Sequence, residues 1–211
     1  CKGLAGVSAS QVEIQSGIQF YDGITTDEIQ KILVRSASDL IDLDHPNYQF
    51  VAARLLLSGL RKQLIGGRWD HPTLLDQIKK CVELGVYDGD VLKNYTEEEL
   101  NTIGEWVDHD RDLLFTYAGL RQVVDKYLVQ DRSSGEIYET PQFMYIMIAI
   151  TIFANYSKDN RLSYIRNYYN AISKHKLNIP TPIMGGVRTP LRQFASCVLV
   201  DVDDTLDSIF S

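Results

Sequence analysis

Cys197 stands between a polar run ending in Ser196 and the apolar triplet Val198-Leu199-Val200, with Asp201, Asp203, Asp204 and Asp207 close behind it. A thiol in that setting has two possible fates. Buried at the start of a strand, it is a small hydrophobe with a weak S–H donor. Accessible at the rim of a cavity, it is a nucleophile that exchanges with disulfides. Burial is the commoner fate of a free cysteine, and the local residues leave both open. The acidic residues behind it read equally as a solvated loop. His45, His71, His109 and His175 have no paired spacing suited to zinc, and Cys1, Cys81 and Cys197 lie too far apart for a metal or disulfide framework. The charged stretch Asp108 to Asp112 reads as mixed charge at a helix end. Tyr145, Tyr168 and Tyr169 read as core aromatics with a polar edge.

The elements that must position these groups are mostly helical. Val12, Ile14, Ile18 and Phe20 predict one side of a short amphipathic helix, and Asp22-Gly23 a turn. A second helix follows, with Thr25 or Thr26 as its N-cap and Ile29, Ile32, Leu33, Leu40 and Ile41 as its apolar face. A third begins after Pro46, with Phe50, Val51, Leu55, Leu56, Leu60 and Ile65 at helical spacing, and stops at Gly66-Gly67. Shorter helices are expected near Pro72–Leu84, Gly89–Lys93 and Glu97–Val107. Tyr127 to Glu139 reads as two β-prone runs around a Ser133-Ser134-Gly135 turn. Pro141 opens a helix, Gln142 to Tyr156, that is apolar nearly all round and so belongs in the core. Arg161 to Ser173 turns Leu162, Ile165, Tyr168, Tyr169 and Ile172 inward. With three prolines and two glycines, Ile179 to Pro190 is not expected to be regular helix. Ala195 to Val202 is the one strand expected.

The chain has 211 residues, 45% of them hydrophobic and 23% charged, an ordinary globular composition. Its net charge of −7 disfavours nucleic acid as a partner. The longest apolar run, Phe143 to Ala154, falls short of the roughly 20 residues a membrane span needs. The cysteine usage suits a reducing compartment, so the expected location is cytoplasmic. Opening at Cys1 and closing at Ser211, the chain reads as a piece of a longer protein.

From Pro180 onward the pattern P-T-P-x-M-x-x-x-R-T-x-x-x-Q-x-x-S-C runs through Thr181, Met184, Arg188 and Ser196 to Cys197. Upstream stand "FYDGITTDEI", "PNYQFVAARLLL", "HDRDLLFTYAG" and "KYLVQDRSSGEIYETPQFMYI". With these blocks in this order, the chain resembles the N-terminal portion of the large catalytic subunit of class I ribonucleotide reductase. The resemblance implies a mainly α fold in three parts. Residues 1–66 would be a partial ATP-cone, 67–178 the helical N-terminal domain, and 179–211 the start of a ten-stranded α/β barrel.

The implied activity is reduction of ribonucleoside diphosphates to deoxyribonucleotides by thiyl-radical chemistry, with a redox-active cysteine pair. Cys197 matches one member of that pair, and Thr181 and Ser196 match substrate contacts. Asp204, Thr205 and Leu206 match the start of an effector site that selects the base. Thr26 and Lys62 match nucleotide contacts of the cone, although Gln30 and Gly59 stand where the family often carries histidine. The chain itself would bind no cofactor or metal directly, apart from ATP or dNTP effectors. The radical would come from a metal-containing small subunit. Other implied partners are the remainder of the large subunit, a second large subunit, and thioredoxin or glutaredoxin. A piece of this kind would not turn over alone. A non-catalytic nucleotide-binding or assembly module derived from the subunit is the alternative.

Overall fold

The structure, a computed structural model, describes residues 1–66, 70–192 and 194–210. Gly67, in the expected helix stop, and Gln193, in the P-T-P pattern, lie outside the described residues.

The first three helices are α1 (Ala9–Gly17), α2 (Thr26–Asp39) and α3 (Tyr48–Ile65). Between α1 and α2 the chain turns at Gly23, whose φ of +87° a side chain would resist. Thr25 then caps α2: its hydroxyl accepts from the Glu28 amide at 3.3 Å while Glu28 reaches back to the Thr25 amide at 2.9 Å. α3 ends at Gly66, in the left-handed region at φ +68°. The face expected for α1 is corrected. Val12 is buried, but Ile14 and Ile18 are 68% and 81% exposed. Positions 12 and 14 lie on opposite sides of a helix, and the residue that shares the buried face of Val12 is Ser16, one turn on.

Next come α4 (Leu74–Glu83), α5 (Asp90–Asn94) and α6 (Glu97–Gly104). A 3₁₀ turn over His109–Leu114 and α7 (Tyr117–Gln122), which runs on as a π-turn through Val123–Tyr127, are elements the sequence reading did not place. Each is short, and Gly119 weakens any helical signal. Asp108 and Thr116 cap them. The expected tight turn is present: Gln130 bridges antiparallel to Ile137, and Gly135 takes φ +75°. α8 (Pro141–Ile152) follows, started by Pro141 in the first turn, where its missing N–H breaks no bond. It is the centre of the main core. Phe143, Met144 and every residue from Ile146 to Ile150 are at most 2% exposed. α9 (Lys158–Ser173) packs on it through Ile165, Tyr169 and Ile172. α9 is tied to α6 by the Arg161 guanidinium, which grips both oxygens of Glu99 and lies 4.2 Å over the Tyr95 ring.

Two sequence expectations near the end are corrected. Residues 181–186 do form a helix, α10 (Thr181–Gly186), because Pro182 falls in the first turn, where proline fits. Residues 195–202 make no strand among the described residues. They run irregular and exposed, with Leu199 fully so, because no second strand is present to take their backbone hydrogen bonds. A short last helix, α11 (Leu206–Phe210), closes the described chain.

Among the described residues the hydrophobic interior comprises two clusters. Val12, Ala37, Tyr48, Val51 and Ala52 form the smaller. The larger gathers α4 to α10 around α8 and also takes Ala53, Leu57 and Leu60 of α3.

Candidate functional site

The chemistry-bearing end of the chain is held by one buried arginine. Arg188, two residues past α10, is about 1% exposed. Its guanidinium pairs with the Glu139 carboxylate through both Nε and Nη2. Its other N–H groups donate to the Met184 carbonyl at 2.5 Å and the Tyr127 carbonyl at 2.8 Å. Glu139 also accepts from the Tyr87 hydroxyl at 2.5 Å and the Val129 amide at 2.7 Å. Burial, then the charge of the carboxylate beside it, pushes the Tyr87 phenol well above its ordinary range. Outside the core, the Asp88 amide donates to the Arg188 carbonyl at 3.0 Å, and Arg192 forks onto Asp88 and Asp90. This web moors residues 179–192 to the helical body. Sequence reading quoted Arg188 and Glu139 within longer patterns without seeing that they pair across 49 positions.

Thr181 begins α10 with its side chain toward solvent, and its Oγ1 lies 3.1 Å from the Tyr127 hydroxyl. Ser196 and Cys197 lie exposed beyond the mooring, Oγ to Sγ 3.8 Å. Cys197 is thus an accessible thiol in this chain, whereas Cys81 is buried and its thiol is pushed up to about 12 by burial and by Glu139. Asp204, Thr205 and Leu206 are exposed, and Thr205 Oγ1 accepts from the Ser208 amide at 3.2 Å at the start of α11. Among the described residues no hydrogen bond joins Thr181 to Ser196 or Cys197.

Thr26 and Lys62, on α2 and α3, do come together: Lys62 Nζ donates to Thr26 Oγ1 at 3.3 Å and lies 3.9 Å from Asp27. Lys62 edges a cleft of about 880 Å³ shared by α2, α3, α7 and the turn at Ser134-Gly135. Gln30 lies across Gly59, its Cγ 3.0 Å from where a Cβ would stand, and its amide donates to the Leu55 carbonyl at 2.6 Å. Lys62 is shared with Thr26 and Asp27, and Lys31, Arg35 and Arg121 line the same cleft. Among the described residues no cluster of three or more His, Cys, Asp or Glu is placed to hold a metal, and no helix is long and apolar enough to cross a membrane.

A second polar web joins the 3₁₀ turn to α3, α8 and α9. Arg61 donates to the His109 carbonyl at 2.7 Å and pairs with buried Asp112 at 3.3 Å. Gln142 donates to Asp112 and accepts from Tyr169, both at 2.8 Å. A lone glutamine in an otherwise apolar helix was the sequence signal for it. Above this web the rings of His71 and His109 stack at 3.5 Å, with Phe143 edge-on.

These histidines give the fold a pH dependence. Burial, then the Arg61 charge, lowers His71 to about 4, with Asp110 opposing. Burial, then His71 and Arg61, lowers His109 to about 3. In the unfolded chain both bind protons below about 6.5, so their share of stability is complete above that and is lost as pH falls. Asp112 has the opposite sign: burial raises it to about 6 against Gln142 and Arg61, so its share is complete below about 4 and is lost as pH rises. Two histidines outweigh one carboxylate. The denaturant midpoint should therefore drop from pH 7 to pH 5, and His109→Phe should flatten the drop. A midpoint that rises on acidification would mean Asp112 governs instead.

Residues 113–192 match the family described as "Ribonucleotide reductase, all-alpha domain". Along nearly all its length the chain is similar to "Ribonucleoside-diphosphate reductase 1 subunit alpha" of Escherichia coli, at 51% identity over 208 residues, 99% of this chain and 27% of the relative. The corresponding alpha subunit of Enterobacteria phage T4 is 41% identical over 97% of the chain, and that of Helicobacter pylori 34% over 98%. The helices over residues 113–192 are thus similar to a ribonucleotide reductase all-alpha domain. The chain belongs to the ribonucleoside-diphosphate reductase alpha-subunit family, and it spans about a quarter of the length of these relatives.

Proposed function

We propose that this chain is the part of a ribonucleoside-diphosphate reductase alpha subunit that carries one thiol of the reducing pair and delivers it into the catalytic barrel. The observation that carries this reading is the exposure of Cys197 on an otherwise unpaired segment whose near end is fixed by Arg188 and Glu139. The reaction replaces a ribose hydroxyl with hydrogen. Two thiols become a disulfide and give up two electrons and two protons; the substrate takes them and releases water. A free dithiol or a small dithiol protein then reduces the disulfide. Thr181 and Ser196 offer hydroxyls to the substrate, and Asp204, Thr205 and Leu206 to a nucleotide effector. The second thiol, the radical and the rest of the barrel come from residues beyond this sequence and from a metal-bearing partner subunit, in the cytoplasm.

On this reading residues 1–66 are the cone, 67–178 the helical domain and 179–211 the start of the barrel. A purely regulatory nucleotide-binding role would rest on the cleft beside Lys62, which Lys31, Arg35 and Arg121 also line. The assembled alpha subunit containing this chain, given a radical-generating partner and a dithiol, should convert a ribonucleoside diphosphate to the deoxynucleotide. Absence of product from a folded, radical-loaded complex would overturn the proposal.

A further inference from the structure

Both ends of α10 are referenced to Tyr127. Its carbonyl accepts from Arg188, which also donates to the Met184 carbonyl at the far end of the helix. Its hydroxyl lies 3.1 Å from Thr181 Oγ1 at the near end. Tyr127 is itself buried, and it sits in the π-turn that follows α7, where one extra residue per turn re-aims a side chain. Thr181 is exposed, so without a partner its hydroxyl and methyl would be free to exchange places among rotamers.

The hydrogen-bond direction follows from what each group can do. Gln122 Nε2 is a donor and lies 3.3 Å from the Tyr127 oxygen, so that oxygen accepts. Either hydroxyl of this pair can donate to the other; with the Tyr127 oxygen already accepting from Gln122, the arrangement that uses the Tyr127 proton has it donated to Thr181 Oγ1. The Thr181 proton is then left pointing outward. The relay runs Gln122 to Tyr127 to Thr181 and ends in a donor facing solvent, which suits a ligand atom that only accepts.

We propose that Tyr127 is a positioning residue for substrate: it fixes the Thr181 hydroxyl as a donor to a phosphate oxygen of the nucleoside diphosphate. This rests on the reading of Thr181 as a substrate contact. In the assembled enzyme Tyr127→Phe should raise the KM for the ribonucleoside diphosphate roughly three- to tenfold, the value of one neutral hydrogen bond, with kcat within about twofold. Thr181→Val, which removes the charge-assisted bond to the phosphate itself, should raise KM at least about tenfold, and the double variant should be no worse than Thr181→Val alone. A Tyr127→Phe enzyme with unchanged KM beside a Thr181→Val enzyme with raised KM would overturn the positioning role and leave the proposed function standing. Unchanged KM in both would overturn the substrate contact itself. Equal losses of kcat and of unfolding midpoint in Tyr127→Phe would overturn positioning in favour of a purely structural role.

Discussion

Cys197→Ser in the assembled alpha subunit should lower deoxynucleotide formation by roughly three orders of magnitude or more, the scale seen when one member of a group acting as a unit is lost. A serine hydroxyl matches the thiol in shape but cannot form the disulfide that supplies the two electrons. Nothing in the fold depends on the sulfur. Cys197 is exposed, with its Sγ 3.8 Å from Ser196 Oγ. The variant should therefore fold as the parent does and bind effector within roughly twofold, since the change lies apart from Asp204, Thr205 and Leu206. Product assays with excess dithiol, run beside effector titrations, separate the two effects. Dithiol-driven turnover near the parent rate would remove Cys197 from the chemistry.

Arg188→Met should cost about 3–5 kcal/mol of stability, the usual penalty for stripping one partner from a buried ion pair. The loss is larger than that of a surface bridge because Glu139 is also shut from solvent, side chain 0% exposed, and would keep its charge without a cation. For a chain of this size the unfolding midpoint should drop by about 10 °C. Adding Glu139→Gln to Arg188→Met should recover part of that, because a neutral amide can still serve Tyr87 and Val129 without a buried charge. If the double variant is no more stable than the single one, the penalty comes from the lost anchoring of the Met184 and Tyr127 carbonyls rather than from the orphaned carboxylate. Thermal unfolding of the three proteins decides between these.

Much of this molecule is legible in its sequence where a signal is local. Thr25 with Glu28, Gly66 after Ile65, Pro141 before an apolar run and Gly135 in a tight turn each carry their own physical reason. What escaped is what only the assembled fold decides. Ala195 to Val202 has the composition of a strand, but a strand exists only with a neighbour. Pro182 looked like a breaker because its position within the first turn depends on where α10 begins. The proposed site residues Thr181, Ser196 and Cys197 were singled out through extended pattern likeness, and no single residue's type would have done so. Arg188, Glu139 and Tyr127 were missed as a unit because they meet from positions dozens of residues apart.

α3 has a consequence for how the chain comes apart. Val51 and Ala52 belong to the smaller cluster, whereas Ala53, Leu57 and Leu60 belong to the larger, so one 18-residue helix is a structural wall of both. Melting the smaller cluster would fray α3 from its first turns and expose the face that Leu57 and Leu60 seal. The two interiors are therefore coupled into a single cooperative unit, and loss of either one propagates along the helix they share.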